Sequence, residues 1–462
     1  MLGHFVEKKL AGKIFMLDSR NIIIVCFLAF GIAAAALGFQ VTHGTSNYAS
    51  MVLSVGGILI LGANWHAHNG GRSASFIFLV LGLTFLCGRA FPILFGDNSQ
   101  LALIGYGDLF EISSDKVMTY VVLVLTSFLC VHIGSLLIYE EAPALPDSIH
   151  EAKIYRIMFI CLLPLLLYKN IWYFNYIMAN GGYLAIYQGS EHLEGVGMLA
   201  RVGALLCLVT FTLYFFHETN QKKSRNALIF FLFVFSSELL VGLRGKFFVT
   251  ALIFFLFYKL RFGGKFSLRG LAVLLLVIIS VAITVEITRE QKSESTVAGS
   301  LLTGFLAQQG VSAGVSLVVL DNPSYFAQNP WSYFQHQFAA PFYSQPEVPK
   351  GWFVANDISM MVMPEAYALG FGTGSSYLAE LLMLGGWAGV CIGSLAIGWI
   401  LTKAKRFTSG VTGALIFWIV CGVVYYPRTM LQDPIHNLMR YALPTLFLAG
   451  VCILWRRRKQ LL

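Results

Sequence analysis

VMTYVVLVLTSFLCVHIGSLLIY, residues Val117–Tyr139, holds no Asp, Glu, Lys or Arg. As a helix this run would rise about 35 Å at 1.5 Å per residue, enough to cross roughly 30 Å of hydrocarbon. Working outward, comparable apolar runs lie at Asn21–Val41, Tyr48–His66, Ser75–Phe95, Ile154–Tyr173, Gly197–Phe216, Ala227–Gly242, Phe247–Leu260, Leu271–Ile287, Ser376–Thr402, Val411–Tyr426 and Tyr441–Trp455. Mean hydropathy is +0.71, and only 12% of residues are charged. That composition excludes a soluble globular class. The expectation is an all-α integral membrane protein of about twelve spans, residues 1–462 forming a single polytopic domain.

Basic residues set the orientation. Lys8, Lys9, Lys13 and Arg20 precede the first run, and alternate loops carry Arg72, Lys153 and Arg156, Lys222, Lys223 and Arg225, Lys259, Arg261, Lys265 and Arg269, then Lys403, Lys405 and Arg406. The tail adds Arg456, Arg457, Arg458 and Lys459. By the positive-inside rule both termini are cytoplasmic. The first run lacks a small-residue cleavage site and reads as a retained span. The net charge of +9 is then largely a topology signal, and nucleic acid is excluded as a partner because no basic, aromatic-interleaved domain exists. All eight cysteines fall inside apolar runs, which speaks against structural disulfides and a thiolate metal site.

The one large extramembrane piece, Thr288–Ser375, lies on the outer side by this count and is too long to be a mere connection. Within it Leu301–Val319 reads as a short helix, and the aromatic, proline-containing run Asn329–Trp352 as irregular structure. A second outer segment, Ile171–Gly195, carries Trp172, Tyr173, Tyr176, Tyr183 and Tyr187. Such aromatic density suits headgroup level, and it suits stacking on sugar rings.

A minority of basic residues recurs on the outer side, where topology disfavours them: Arg89, Arg201, Arg244, Lys246, Arg289, Arg428 and Arg440, with Lys116, Lys169, Lys292 and Lys350. An arginine at the membrane edge is costly unless paired or wet, and its planar fork suits bidentate contact with phosphate. Any one of them can snorkel or pair with Glu238, Glu286 or Glu380. Together they point to a site for an anionic group, a pyrophosphate on a lipid carrier in particular. Buried Glu380 and Glu238 are candidate general bases if desolvation raises their proton affinity, although each is equally suited to orienting a cation. External His336 is a third candidate. No metal-ligand spacing appears in the outer segments, so no metal is expected.

One glycine-rich run carries a resemblance. Gly372-Thr-Gly-Ser-Ser-Tyr-Leu-Ala-Glu380, continued by Gly385-Gly386-Trp387-Ala388-Gly389 into a long span, resembles the GxGxSxxAE…GG pattern of Wzy-type O-antigen polymerases, also called oligosaccharide repeat-unit polymerases. Gly242-Leu-Arg-Gly245 at a short outer turn, Gly181-Gly182-Tyr183…Tyr187, Arg289 and the Arg428 to Arg440 segment support it. The resemblance implies a GT-C-like membrane glycosyltransferase of the bacterial inner membrane with a large periplasmic loop over residues 288–375. It implies that undecaprenyl-pyrophosphate-linked oligosaccharides are joined on the periplasmic face, without cofactor and with membrane lipids around the site. Chain length would depend on a Wzz-type co-polymerase. Pyrophosphate would meet Arg89, Arg201, Arg244, Lys246, Arg289, Arg428 and Arg440; sugars would meet Tyr183, Tyr187 and Tyr377. Two alternatives fit less well. An O-antigen ligase should show an external His-Asn or His-Gln followed at a fixed distance by a glycine motif, but those positions after His336-Gln337 and His436-Asn437 hold Glu347 and Phe447. A flippase or transporter should line both leaflets with charge.

Overall fold

The computed structural model describes residues 19–41, 45–68, 70–95, 112–137, 149–180, 196–241, 244–263, 306–307, 309–326, 330–339, 350–368 and 372–461. Every regular element among the described residues is helical. In chain order the α-helices are α1 (Ser19–Val41), α2 (Ser46–Ala67), α3 (Ala74–Leu86), α4 (Ser114–Leu136), α5 (Ile149–Ala179), α6 (Met198–His217), α7 (Gln221–Phe235), α8 (Ser237–Leu240) and α9 (Arg244–Phe262). They continue with α10 (Ser312–Asp321), α11 (Pro323–Phe326), α12 (Pro330–Ala339), α13 (Val354–Val362), α14 (Pro364–Ala368), α15 (Tyr377–Lys403), α16 (Gly410–Val424) and α17 (Asp433–Leu461). Short 3-10 helices occupy Gly88–Phe95, Ala404–Arg406 and Tyr426–Arg428.

Among the described residues, eight helices are long and apolar enough to cross a membrane, or nine if α3 and the 3-10 helix after it, bent by 75°, count as one broken span. The chain is therefore a multi-pass membrane protein, but the expected twelve spans are not reached among these residues. Ala227–Gly242 fails because α7 stops at Phe235 and only four residues of helix follow. Ser236 turns its hydroxyl back onto the Phe233 carbonyl at 2.6 Å, and the charged Glu238 comes just after. Phe247–Leu260 lies inside the 19-residue α9, whose ends carry Arg244, Lys246, Lys259 and Arg261. Leu271–Ile287 lies outside the described residues.

Two readings within residues 288–375 change. Asn329–Trp352 is not irregular throughout, since α12 opens at Pro330, where a missing N–H has no helical partner to lose. The short helix expected over Leu301–Val319 is interrupted: residues 306, 307 and 309 are helical, Gly310 lies in a turn, and α10 follows.

The chain divides into two compact units, residues 1–141, 295–403 and 423–433 in the first, and 142–294, 404–422 and 434–462 in the second. In the first, α4 is the buried centre. It packs against α15 where Gly134 admits the Leu395 carbonyl and Gly398 admits the Val131 carbonyl; a Cβ at either glycine would collide with that backbone. Small residues at helix contacts are how membrane helices approach closely. Ser127 Oγ joins the Tyr377 hydroxyl at 2.6 Å and Ser394 Oγ at 2.8 Å. Helix α15 kinks at Gly385 and Gly386, the latter at φ 58°, a conformation glycine adopts without steric cost. Packing in the second unit is mostly aromatic. Phe211 stacks on Phe231 at 3.8 Å, Phe254 meets Phe417 at 4.1 Å, and Trp418 stacks on Tyr441 at 3.8 Å.

Candidate functional site

In the first unit the glycine-rich run is a clamp. Gly374 sits at φ 72°, which lets the backbone turn so that Ser375 Oγ donates to Glu380 Oε1 at 2.5 Å. The Leu431 backbone N–H donates to Glu380 Oε2 at 2.9 Å. Glu380 is buried and ties the start of α15 to residues 426–431. Tyr426 closes the same turn, its hydroxyl donating to the Leu431 carbonyl at 2.7 Å.

That turn carries Arg428. Its Nη1 donates to Gln309 Oε1 at 3.1 Å, and its guanidinium carbon lies 5.1 Å from the centre of the Phe85 ring. Among the described residues no carboxylate pairs with it. Arg89 is buried in the 3-10 helix after α3. Gly310 rests against the Arg89 backbone so closely that a Cβ there would collide with its amide nitrogen. One dipeptide, Gln309-Gly310, thus touches both arginines.

Outside the spans, α12 presents His336. Its ring stacks on Trp352 at 4.2 Å and 16°, and Nδ1 lies 2.8 Å from the Ser332 carbonyl. A carbonyl only accepts, so Nδ1 carries the proton and the neutral ring keeps its lone pair on Nε2. Asp357, on α13, is buried. Its Oδ2 accepts from the Tyr333 hydroxyl at 2.6 Å and the Gly351 N–H at 2.9 Å, while Oδ1 meets no donor among the described residues. Burial and this carboxylate push the Tyr333 hydroxyl well above its usual proton affinity.

In the second unit Glu238 is fully buried between two lysines, Lys169 Nζ at 2.9 Å from Oε1 and Lys246 Nζ at 3.5 Å from Oε2. Arg440 is exposed near the start of α17 and within electrostatic reach of Lys169. Among the described residues these three basic side chains outnumber the one carboxylate beside them. Arg201 is exposed in the first turn of α6.

A family model for the O-antigen polysaccharide polymerase Wzy matches residues 21–459, nearly the whole chain. The chain belongs to the Wzy O-antigen polymerase family. No curated protein and no solved structure matches it. Membership makes it a polymerase of glycosyltransferase type that works on lipid-linked oligosaccharides within a membrane.

In this Wzy-family chain the expected site residues divide between the units. Arg89, Arg428, Glu380, His336 and Tyr377 belong to the first; Arg201, Arg244, Lys246, Glu238 and Arg440 to the second. Arg244 opens α9, but its side chain, like Arg289, Tyr183 and Tyr187, lies outside what the structure describes. Tyr377 is wholly buried and its hydroxyl is engaged by Ser127, so it offers no ring face to a sugar. Sequence reasoning passed over Gln309 and Asp357. Gln309 stands in no motif and carries no charge, whereas Asp357 is an acid in the 288–375 segment, hydrogen-bonded to a buried tyrosine. Lys169 was visible only as one of several outer cations.

Proposed function

We propose that this protein extends O-antigen or a related surface polysaccharide on the periplasmic face of a bacterial inner membrane, both termini being cytoplasmic. A sugar hydroxyl of one undecaprenyl-pyrophosphate-linked unit attacks the anomeric carbon of the growing chain. The new C–O bond forms, the bond to the pyrophosphate oxygen breaks, and undecaprenyl pyrophosphate leaves with the negative charge. The hydroxyl proton passes to a base, for which His336 Nε2 is the best-prepared group, because its tautomer is set by Ser332 and its plane by Trp352.

The observation that carries this reading is the state of Arg428. A half-buried guanidinium held by a neutral amide and an aromatic ring, with no carboxylate beside it among the described residues, is left to meet an anionic ligand. Fixed cations in a water-poor site stabilise a leaving pyrophosphate more than they would in water. Arg89 and Arg428 serve that group in the first unit. Lys246, Arg201, Arg244 and Arg440 form a second phosphate-binding group in the other, with Arg289, and Glu238 holds the lysines in place. Glu380 positions the Arg428 turn, and Tyr183 and Tyr187 are the sugar-stacking residues. In this reading guanidinium groups take the place of a metal in a GT-C-like enzyme, the 288–375 segment is periplasmic, and a Wzz-type partner sets chain length.

The test is a reconstituted reaction with purified protein in nanodiscs and lipid-linked repeat units, with and without a chelator. Polymer and released undecaprenyl pyrophosphate should rise together in both. Release without lengthening would reject the polymerase mechanism.

A further inference from the structure

We infer that Gln309 is a positioning residue for pyrophosphate binding, setting the direction of the Arg428 fork while leaving its charge unquenched. The inference rests on the reading of Arg428 given above and goes further, to why a neutral residue stands beside it. Gln309 is 6% exposed, so its amide has left water, and its Oε1 meets Nη1 of Arg428 at 3.1 Å. A guanidinium has donors only, so the amide must turn its oxygen towards Arg428. The Phe85 ring covers the guanidinium at 5.1 Å. Between them, amide and ring restrict rotation about the last bonds of the side chain.

A carboxylate at position 309 would hold Arg428 more strongly, and that is the point. It would form a charge-assisted pair and take for itself the field that an incoming phosphate needs. The buried acid nearest in the chain's own clamp, Glu380, receives Ser375 Oγ–H and Leu431 N–H, and among the described residues Arg428 meets no carboxylate. The second unit shows the opposite solution, in which Glu238 pairs with two lysines. Gly310 extends the device. Because it lies against the Arg89 backbone, the backbone that sets Gln309 is registered against the segment bearing the other arginine.

The experiment uses full-length protein in nanodiscs, titrated with undecaprenyl pyrophosphate at several ionic strengths, with thermal unfolding measured alongside. Gln309→Glu preserves shape and adds a charge. It should leave the melting temperature unchanged or raised, weaken binding about tenfold, the scale of one lost charge-assisted contact, and flatten its salt dependence. Gln309→Met preserves size and removes the acceptor, so it should weaken binding several-fold while the salt dependence stays as in wild type. It also serves if the glutamate variant folds poorly. A purely structural Gln309 would give wild-type affinity in Gln309→Glu while Arg428→Ala binds weakly, which overturns this inference and leaves the function standing. Wild-type affinity in Arg428→Ala would overturn the inference and the proposed pyrophosphate site together.

Discussion

Glu380 and Leu431, 51 residues apart in sequence, are joined by one hydrogen bond, from the Leu431 backbone N–H to Glu380 Oε2 at 2.9 Å. The other carboxylate oxygen receives Ser375 Oγ–H. A buried carboxylate that accepts two donors is well suited to fixing a turn, and this turn bears Arg428.

Glu380→Gln should therefore lower stability, because an amide has a single acceptor and presents N–H to one of the two donors. The expected loss is about 1–3 kcal/mol, the range for stranding a buried polar group. Polymer formation should fall in step with folded protein. Normal melting with complete loss of polymerisation would instead identify Glu380 as a catalytic base.

Gly310→Ala places a methyl group where the Arg89 backbone already sits. The nearest atom is the Arg89 backbone nitrogen, with Arg89 Cγ and the Gly88 carbonyl carbon next, and backbone has little room to give, so destabilisation of about 1–3 kcal/mol is expected from overpacking. Unfolding in detergent measures it, and an unchanged melting temperature would show that the two segments part easily.

Glu238→Gln removes the only carboxylate beside Lys169 and Lys246 among the described residues. Breaking a buried pair from one side costs about 3–5 kcal/mol, which should appear as lost folded yield. Adding Lys169→Met should restore yield, because it removes the more buried of the two stranded cations. Failure of that second change to help would mean that Glu238 serves something other than these lysines.

The proposed outer location of α11 and α12 is open to chemical labelling. In a cysteine-free background, Ser324→Cys, an exposed position, should react with an impermeant thiol reagent added from outside, and a reporter fused after Leu462 should be active only in its cytoplasmic form. Protection of residue 324 would reverse the orientation.

What could be read ahead of the structure follows from interaction range. Val117–Tyr139 appears as Ser114–Leu136 because a long apolar run has one solution in a membrane. The Ser375 to Glu380 bond joins residues five apart and was legible as a motif, though its role as a clamp was not. Helix α12 escaped notice because ten residues dense in aromatics and headed by proline carry no long periodicity. Gln309 was invisible for a stronger reason: its partner lies 119 positions away, and a neutral side chain leaves no trace in a count of charges. The break after Phe235 also went unread, since Ser236 and Glu238 interrupt an otherwise apolar stretch by local bonding and charge.

The most direct test of the central claim is the lipopolysaccharide pattern of cells lacking this protein, with the missing gene supplied as wild type or as Arg428→Ala. The deletion should leave lipid A core bearing a single repeat unit, wild type should restore the full ladder, and Arg428→Ala should restore almost none while accumulating to normal levels in the membrane. Core with no repeat unit in the deletion, or a full-length ladder from Arg428→Ala, would contradict that claim.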